Sequence, residues 1–208
     1  MPIKDNFVTK HLSSRYASGE RTGDMGGSFP QTPAGGNCLK VTRAGDAVLV
    51  QVHGLGNMHL APTLQTFVES EIASGLMHFV IDLHHCLGLD STFMGTFIGL
   101  SRLIKNKFGW FCLVNVSDDN RRLLKMLGII NMVSINDAPF PVPKGELTVL
   151  NPTNDPYVRQ KQIHEAHKLL MDADPANKER FGPFIQALED ELADIPKILP
   201  PNSGKKGK

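Results

Sequence analysis

The chain has 208 residues, a formal net charge of +1 and 41% apolar side chains, a composition ordinary for one or two globular domains. The near-zero charge argues against bulk affinity for nucleic acid or membranes, and no apolar run approaches the length of a membrane span. Its three cysteines, Cys38, Cys86 and Cys112, are scattered without a Cys-x-x-Cys pair. We therefore expect reduced thiols in a cytoplasmic protein that needs no cofactor.

The first 37 residues are expected to form a flexible N-terminal segment. Residues 13–37 are rich in Gly, Ser, Thr and Pro, and they offer almost no apolar side chain to offset the entropy of ordering. Residues 1–12 contain enough apolar side chains for a short element that docks elsewhere. The polar start of the chain does not resemble a signal peptide.

An alternation of strands and helices begins near Leu39. The pattern predicts a short edge strand at 39–42, strands at 47–53, 79–83, 110–116 and 132–135, and helices at 60–74, from about 91 to before 109, and after Ser117. Such alternation predicts an α/β fold: a mainly parallel sheet of four to five strands, with right-handed crossovers.

The central feature of this pattern is the passage from the strand at 79–83 to the helix that follows. A turn punctuated by Gly88 separates them, and Asp90, Ser91 and Thr92 stand where the helical apolar pattern begins. A serine at this position is a good N-cap, and from position alone a capping role is the more frequent one. A helix N-terminus also favours anions, including a phosphoryl group that adds roughly −1.5 to −2 charges.

The residues around this turn resemble the signature of STAS domains, the domains of anti-sigma factor antagonists and of sulfate transporters. Asp82-Leu83, six further residues and then Asp90-Ser91-Thr92-Phe93-Met94-Gly95 are similar to the family's strand, loop and helix opening. Phe93 stands where the family usually has glycine. The stretch 117–135 also looks like the family's closing helix and strand. The resemblance covers about residues 39–137 and implies a STAS-type α/β domain.

The resemblance implies a regulatory role for this helix end. In the antagonists the residue after the aspartate is phosphorylated, which here is Ser91, with Thr92 as a rival acceptor. The implied partner is an anti-sigma factor or a related serine-kinase-type regulator, which would contact Asp90, Ser91, Thr92, Phe93 and Met94. Two alternatives stay open: a non-phosphorylated STAS subunit that docks a transporter or signalling nucleotidase, and a small-molecule-sensing STAS module.

Beyond the STAS-like region, two helical patterns predict a C-terminal extension. The first covers 157–171, and the second begins at Asp174-Pro175, with Gly182-Pro183 expected to kink or restart it. Their apolar stripe should pack on the domain or on the partner helix, because large exposed apolar patches are rare. The expected division is a flexible segment at 1–37, the STAS domain at 38–138, a Pro-rich linker or arm at 139–150, the helical extension at 151–196 and a basic tail at 197–208.

Enzymatic and metal-binding functions have little support in the sequence. It contains neither a Gly-x-Ser-x-Gly elbow nor a phosphate-binding P-loop, and no general base is matched to Asp82 or Asp90. His84 and Cys86 could share a face of a strand, but a structural zinc site needs four ligands. His164 and His167 lie three residues apart on a helix, a spacing more often found on a solvated face. We therefore expect a non-enzymatic protein without a metal.

Overall fold

The computed structural model describes residues 36–138 and 147–194, which form a mixed sheet and its helices. The strands are β1 (Cys38–Ala44), β2 (Ala47–Gly56), β3 (His78–Asp82), β4 (Cys86–Leu89), β5 (Trp110–Val114), β6 (Ser134–Asn136) and β7 (Thr148–Leu150). The helices are α1 (Ala61–Ala73), α2 (Ser91–Asn106), α3 (Asp118–Met126), α4 (Pro156–Ala173) and α5 (Pro175–Asp194).

The strands follow the order β6-β5-β3-β2-β1-β7, and β4 pairs with the end of β2. Pairing is parallel throughout, except that β1 is antiparallel to both β2 and β7. The predicted α/β class with a mainly parallel sheet is confirmed.

The described part of the sheet has seven strands, more than the four to five expected from the sequence. Strand β4 was predicted as a turn, but the chain pairs with β2 beyond an irregularity between Gly54 and Leu55. Strand β7 lies outside β1, so β1 is not the edge strand that the pattern predicted. Both differences arise from pairing with distant segments, which local patterns do not report.

Helix α2 lies at the centre of the fold. Ten of its 16 residues are buried, more than one apolar face of a helix can account for. The side chains of Phe97, Leu100 and Ile104 belong to the main core with the sheet, as the helical spacing predicted. The opposite side of α2 contacts α4. A helix covered on two sides places its N-terminal end between the sheet and the C-terminal extension.

The C-terminal helices pack back on the domain, as their apolar stripe predicted. Leu170 of α4 is fully buried in the main core, and α5 packs on α4. Helix α5 continues through Pro183 as one helix, so the restart expected at Gly182-Pro183 does not occur. The predictions for the flexible segment before residue 36, for linker residues 139–146 and for the tail at 197–208 lie outside the described residues.

Candidate functional site

Asp90 caps helix α2. Its backbone is extended, and its Oδ1 accepts a hydrogen bond from the Phe93 amide at 2.8 Å. Its Oδ2 accepts one from the Met58 amide at 2.7 Å, which ties the β2–α1 loop to this helix end. Burial raises the pKa of Asp90, while both amide hydrogen bonds favour the ionised form. The sequence assignment of this cap to Ser91 was wrong, because Ser91 is already the first helical residue.

The Ser91 hydroxyl is therefore not used for capping, and it contacts the C-terminal extension instead. Its Oγ lies 2.9 Å from Nε2 of His167 on α4. Nδ1 of the same ring lies 2.8 Å from the carbonyl oxygen of Ile163, which can only accept. Nδ1 therefore carries the proton, and Nε2 accepts the hydrogen bond that the hydroxyl donates.

His167 is only 4% exposed, and burial lowers its pKa, so the ring is neutral near pH 7. Sequence reasoning treated this histidine as part of a solvated face. The signal that could have found it is its position between Ala166 and Leu170 on the apolar side of α4, both of which are buried. Its neighbour His164 does point outward enough to pair with Glu189 at 2.7 Å.

The next three residues of α2 are buried, so the structure separates them from Asp90 and Ser91. Thr92, Phe93 and Met94 are 3%, 0% and 2% exposed. The Phe93 ring makes an edge contact with Phe97 in the core, with ring centroids 5.1 Å apart, and therefore does not cover the Ser91 hydroxyl. Of the two predicted acceptors, half-buried Ser91 is more accessible than Thr92. In this arrangement the three buried residues hold the helix end and present little surface to a partner.

What covers the Ser91 end is helix α4. A Cβ atom built on Gly95 would lie 2.4 Å from the carbonyl oxygen of Ala166, so the two helix backbones approach directly. The hydroxyl of Thr96 accepts a hydrogen bond at 2.9 Å from Nε2 of Gln162, and both side chains are buried. Only a glycine at position 95 permits this approach.

A cavity of about 650 Å³ lies near β1 and β7, and Ser91 is not part of its lining. Its lining includes Lys40, His53, His59 and asparagines at positions 37, 57, 151 and 154. None of the described residues that line it is acidic. Arg159 lies 3.3 Å from His59. The cavity therefore has a cationic and amide-rich wall.

A buried polar chain runs from the sheet to this cavity. Asp82, 1% exposed, accepts hydrogen bonds from Nε2 of Gln51 at 3.1 Å and Nδ2 of Asn115 at 2.8 Å. Oε1 of Gln51 lies 3.3 Å from Nε2 of His53 and can only accept, so that ring nitrogen carries the proton. Burial, and next the charge of Lys40, lower the pKa of His53 to about 4. His53 is therefore neutral near pH 7, and its hydrogen bond to Gln51 sets its tautomer.

His84, which was weighed as a metal ligand, lies in a group of three histidine rings. His85 stacks on His53 with centroids 4.5 Å apart, and His84 meets His85 edge-on. Within residues 36–138 and 147–194, no three His, Cys, Asp or Glu side chains are grouped so as to hold a metal ion. In the same ranges every helix is too short or too polar to cross a lipid bilayer.

Comparison with known proteins shows a match to the family model of the STAS domain over residues 39–139. Three similar solved structures are a candidate anti-sigma factor antagonist from Thermotoga maritima, an anti-sigma factor antagonist from Mycobacterium paratuberculosis, and the Bacillus anti-sigma factor antagonist SpoIIAA in its unphosphorylated form. Their identities to this chain are 21%, 20% and 17%, with TM-scores of 0.45, 0.44 and 0.42. The matches cover 48%, 50% and 49% of this chain and 86%, 89% and 89% of those chains, in the same order.

Proposed function

This chain carries a STAS domain at residues 39–139, and on that premise we propose that it is a non-enzymatic regulator of the anti-sigma-factor-antagonist kind. It acts in the cytoplasm and binds an anti-sigma factor or a related serine-kinase-type regulator through the N-terminal end of α2. Phosphorylation of Ser91 causes that complex to dissociate. The observation that carries the proposal is that Asp90, and not Ser91, caps the helix, so phosphorylation of Ser91 would not remove the cap of α2.

The electrostatics of the helix end support a switch of this kind. A phosphoryl group would add roughly −1.5 to −2 charges beside the amides of the first turn, where the helix dipole tolerates an anion. The same charge in a docking surface costs desolvation and repels acidic groups of a partner. The first turn of α2 itself therefore tolerates the added charge, while the partner complex does not.

The residues divide into two groups in this proposal. Asp90 and Ser91 contribute polar atoms at the docking end, and Thr92, Phe93 and Met94 hold the first turn in position from the core. A hydroxyl that only receives a phosphoryl group needs exposure and a local electrostatic frame, and the kinase supplies the base.

The test begins with an affinity pull-down from the native host, followed by mass spectrometry for the partner and the phosphosite. Ser91→Asp should weaken capture of the partner, and Ser91→Ala should keep it. Ser117→Asp is the matched control, because Ser117 also stands at a helix start but is exposed on a different helix. This control should leave capture unchanged.

Two results would redirect the proposal. If Ser91→Ala abolishes capture and Ser91→Asp is harmless, the hydroxyl is a contact and not a charge switch. If neither change matters and no phosphate is found on Ser91 or Thr92, the chain is instead a non-phosphorylated STAS subunit that docks a transporter or signalling nucleotidase.

The cavity beside β1 favours a second candidate function, a small-molecule-sensing STAS module. Its volume lies within the usual 300–1,000 Å³ of ligand sites, and Lys40 with neutral His53 suits a small anion that also forms hydrogen bonds. Thermal-shift assays with inorganic phosphate, a nucleoside monophosphate and succinate test this candidate. Binding that Lys40→Ala removes and Lys125→Ala preserves supports it, whereas no shift with any of the three probes argues against it.

A further inference from the structure

The C-terminal helices pack tightly against the N-terminal end of α2, which carries Ser91. The built Cβ of Gly95 would overlap the Ala166 carbonyl oxygen at 2.4 Å, a distance that real Cβ atoms essentially never show. One turn later, a Cβ on Gly99 would meet only the end of the Leu169 side chain, at 3.1 Å. Helix α4 therefore touches α2 backbone to backbone near Ser91 and through a flexible side chain farther along.

Buried polar contacts fix the position of α4 on α2. Gln162 donates to Thr96, and Ser91 donates to His167, at 2.9 Å in both cases. Gln162, Thr96 and His167 are all buried, so a shift of α4 that kept water out would leave their polar atoms without partners. Partial displacements of α4 from this closed state are therefore unfavourable, and exposure of the Ser91 end would require α4 to separate from α2.

Helix α5 holds the closed state from the other side. Nδ2 of Asn177 donates to the carbonyl oxygens of Leu170 at 2.9 Å and of Leu127 at 3.0 Å, which joins α4, α5 and the end of α3. The rings of Phe181 and Phe184 meet the His167 ring edge-on, with centroids 4.8 and 5.1 Å away. The two helices therefore form one unit over the Ser91 end.

This closed state does not accommodate a phosphoryl group on Ser91. The Ser91 Oγ lies 2.9 Å from Nε2 of the buried His167 ring, a distance that leaves no space between them for a phosphorus atom and its oxygens. The carboxylate of Asp90 lies on the preceding residue. A phosphoryl group beneath α4 would be desolvated, and the Asp90 carboxylate would repel it.

We infer that α4 and α5 form an internal cap that competes with any protein that must reach Ser91. The cap lies outside the STAS match, which ends at residue 139, so it is an addition to that domain. A kinase or partner gains access only to the fraction of molecules whose cap is released, and its apparent affinity falls by that fraction. The role of the cap in phosphorylation rests on the proposed function, whereas occlusion of Ser91 does not.

A labelling experiment on the full chain tests the cap without a kinase or a partner. Ser91→Cys places a thiol at the covered position, and its alkylation by iodoacetamide is followed by peptide mass spectrometry. Gly95→Ala is then added as a wedge beneath α4, and Gly99→Ala as the matched control. Both changes increase helix propensity equally, but only the first meets a backbone atom.

The wedge should raise the labelling rate at position 91 by about tenfold or more, because overlap with a backbone destabilises the closed state. The control should stay within about twofold of the parent. Cys112, 3% exposed on β5, reports global unfolding in the same sample and should remain unlabelled. Equal labelling rates for the wedge and the control variants would overturn the inference.

Hydrogen exchange on the unsubstituted chain decides the matter if the wedge variant does not fold. Amides of α4 should exchange through an opening that leaves the sheet protected. Exchange of α4 only together with β3 and β5 would mean that the cap never opens in the folded protein, and the inference would fail. Absence of phosphate on Ser91 in cells would contradict the proposed function and leave both of these readouts unchanged.

Discussion

Helices α2 and α3 begin in the same way and end up in very different surroundings. Each follows a strand of the parallel part of the sheet, and each has a serine within one residue of its start. In α3, Ser117 is the cap and accepts from the Asn120 amide; in α2, Asp90 takes that role and Ser91 moves into the helix. The difference of one position converts a structural hydroxyl into one that is free to contact another group.

Burial separates the two helices further. Only Asn120 and Leu124 of α3 are buried, whereas α2 is covered by the sheet on one side and by α4 on the other. A helix with two covered sides can transmit a change at its N-terminal end to whatever lies on it.

The largest expected effect concerns the sheet side of α2. Leu100 is fully buried, and Leu100→Ala should lower the free energy of unfolding by about 2–5 kcal/mol. Leu123→Ala on α3 is the matched change at a partly buried leucine and should cost less. Urea unfolding of both variants gives the values. Equal costs would mean that α2 is no more central to the core than α3.

The second effect concerns the two caps. Asp90→Ala should cost about 2 kcal/mol, because the amides of Phe93 and Met58 both lose an acceptor. The free energy of unfolding of Asp90→Asn should lie between those of Asp90→Ala and the parent. Its single side-chain oxygen can accept from one amide, and its NH₂ group opposes the other. Urea unfolding at pH 7 checks the order. A full restoration by asparagine would show that only the cap bond matters.

The start of α2 also shows what the sequence could and could not predict. Asp90, Ser91 and Thr92 are all good capping residues, so composition alone cannot say which has the extended backbone of a cap. At Ser117 the next residues are Asp118 and Asp119, which favour the first turn, and the helix begins after Ser117 as predicted.

Elements held by local pattern were predicted well, and elements held by distant pairing were not. The strands around Val50 and Ile81 have continuous apolar runs, which identify them without knowledge of their neighbours. Strand β4 has only four residues, includes Gly88, and forms because β2 extends beside it. The contact of His167 with Ser91 depends on the position at which α4 packs on the domain. An amphipathic stripe predicts that a helix face is buried, but it does not identify the surface against which that face packs.

The third prediction uses pH to separate the two helix starts. Burial lowers the pKa of His167 in the folded protein, so below its ordinary value of 6.5 the unfolded chain binds a proton that the folded chain does not. The stabilising contribution of neutral His167 is therefore fully present above pH 6.5. It is lost as the pH falls, by about 1.4 kcal/mol for each unit by which folding lowers the pKa of His167.

The measurement compares urea unfolding at pH 7 and pH 5 in the parent and in His167→Asn. The parent should lose more stability than the variant between these two values, although His53 and His85, whose pKa values burial also lowers, contribute in both proteins. The raised pKa of Asp90 acts in the opposite direction at the acidic end. Identical losses of stability in both proteins would show that His167, which contacts Ser91 at the start of α2, is not held neutral.

The smallest effect is expected at the cap of α3. Ser117→Ala should cost about 1 kcal/mol, from a general range of about 0.5–2 kcal/mol for lost caps. The lower half of that range is expected, because the bond to the Asn120 amide is long at 3.3 Å and Ser117 is exposed. Ser117→Gly should cost only a few tenths of a kcal/mol, since glycine also tolerates the cap position. Urea unfolding tests whether Ser117→Ala lowers the free energy of unfolding more than Ser117→Gly does. If both cost as much as Asp90→Ala, the two helix starts are energetically equivalent, and the special position of Ser91 would have to come from helix α4 alone.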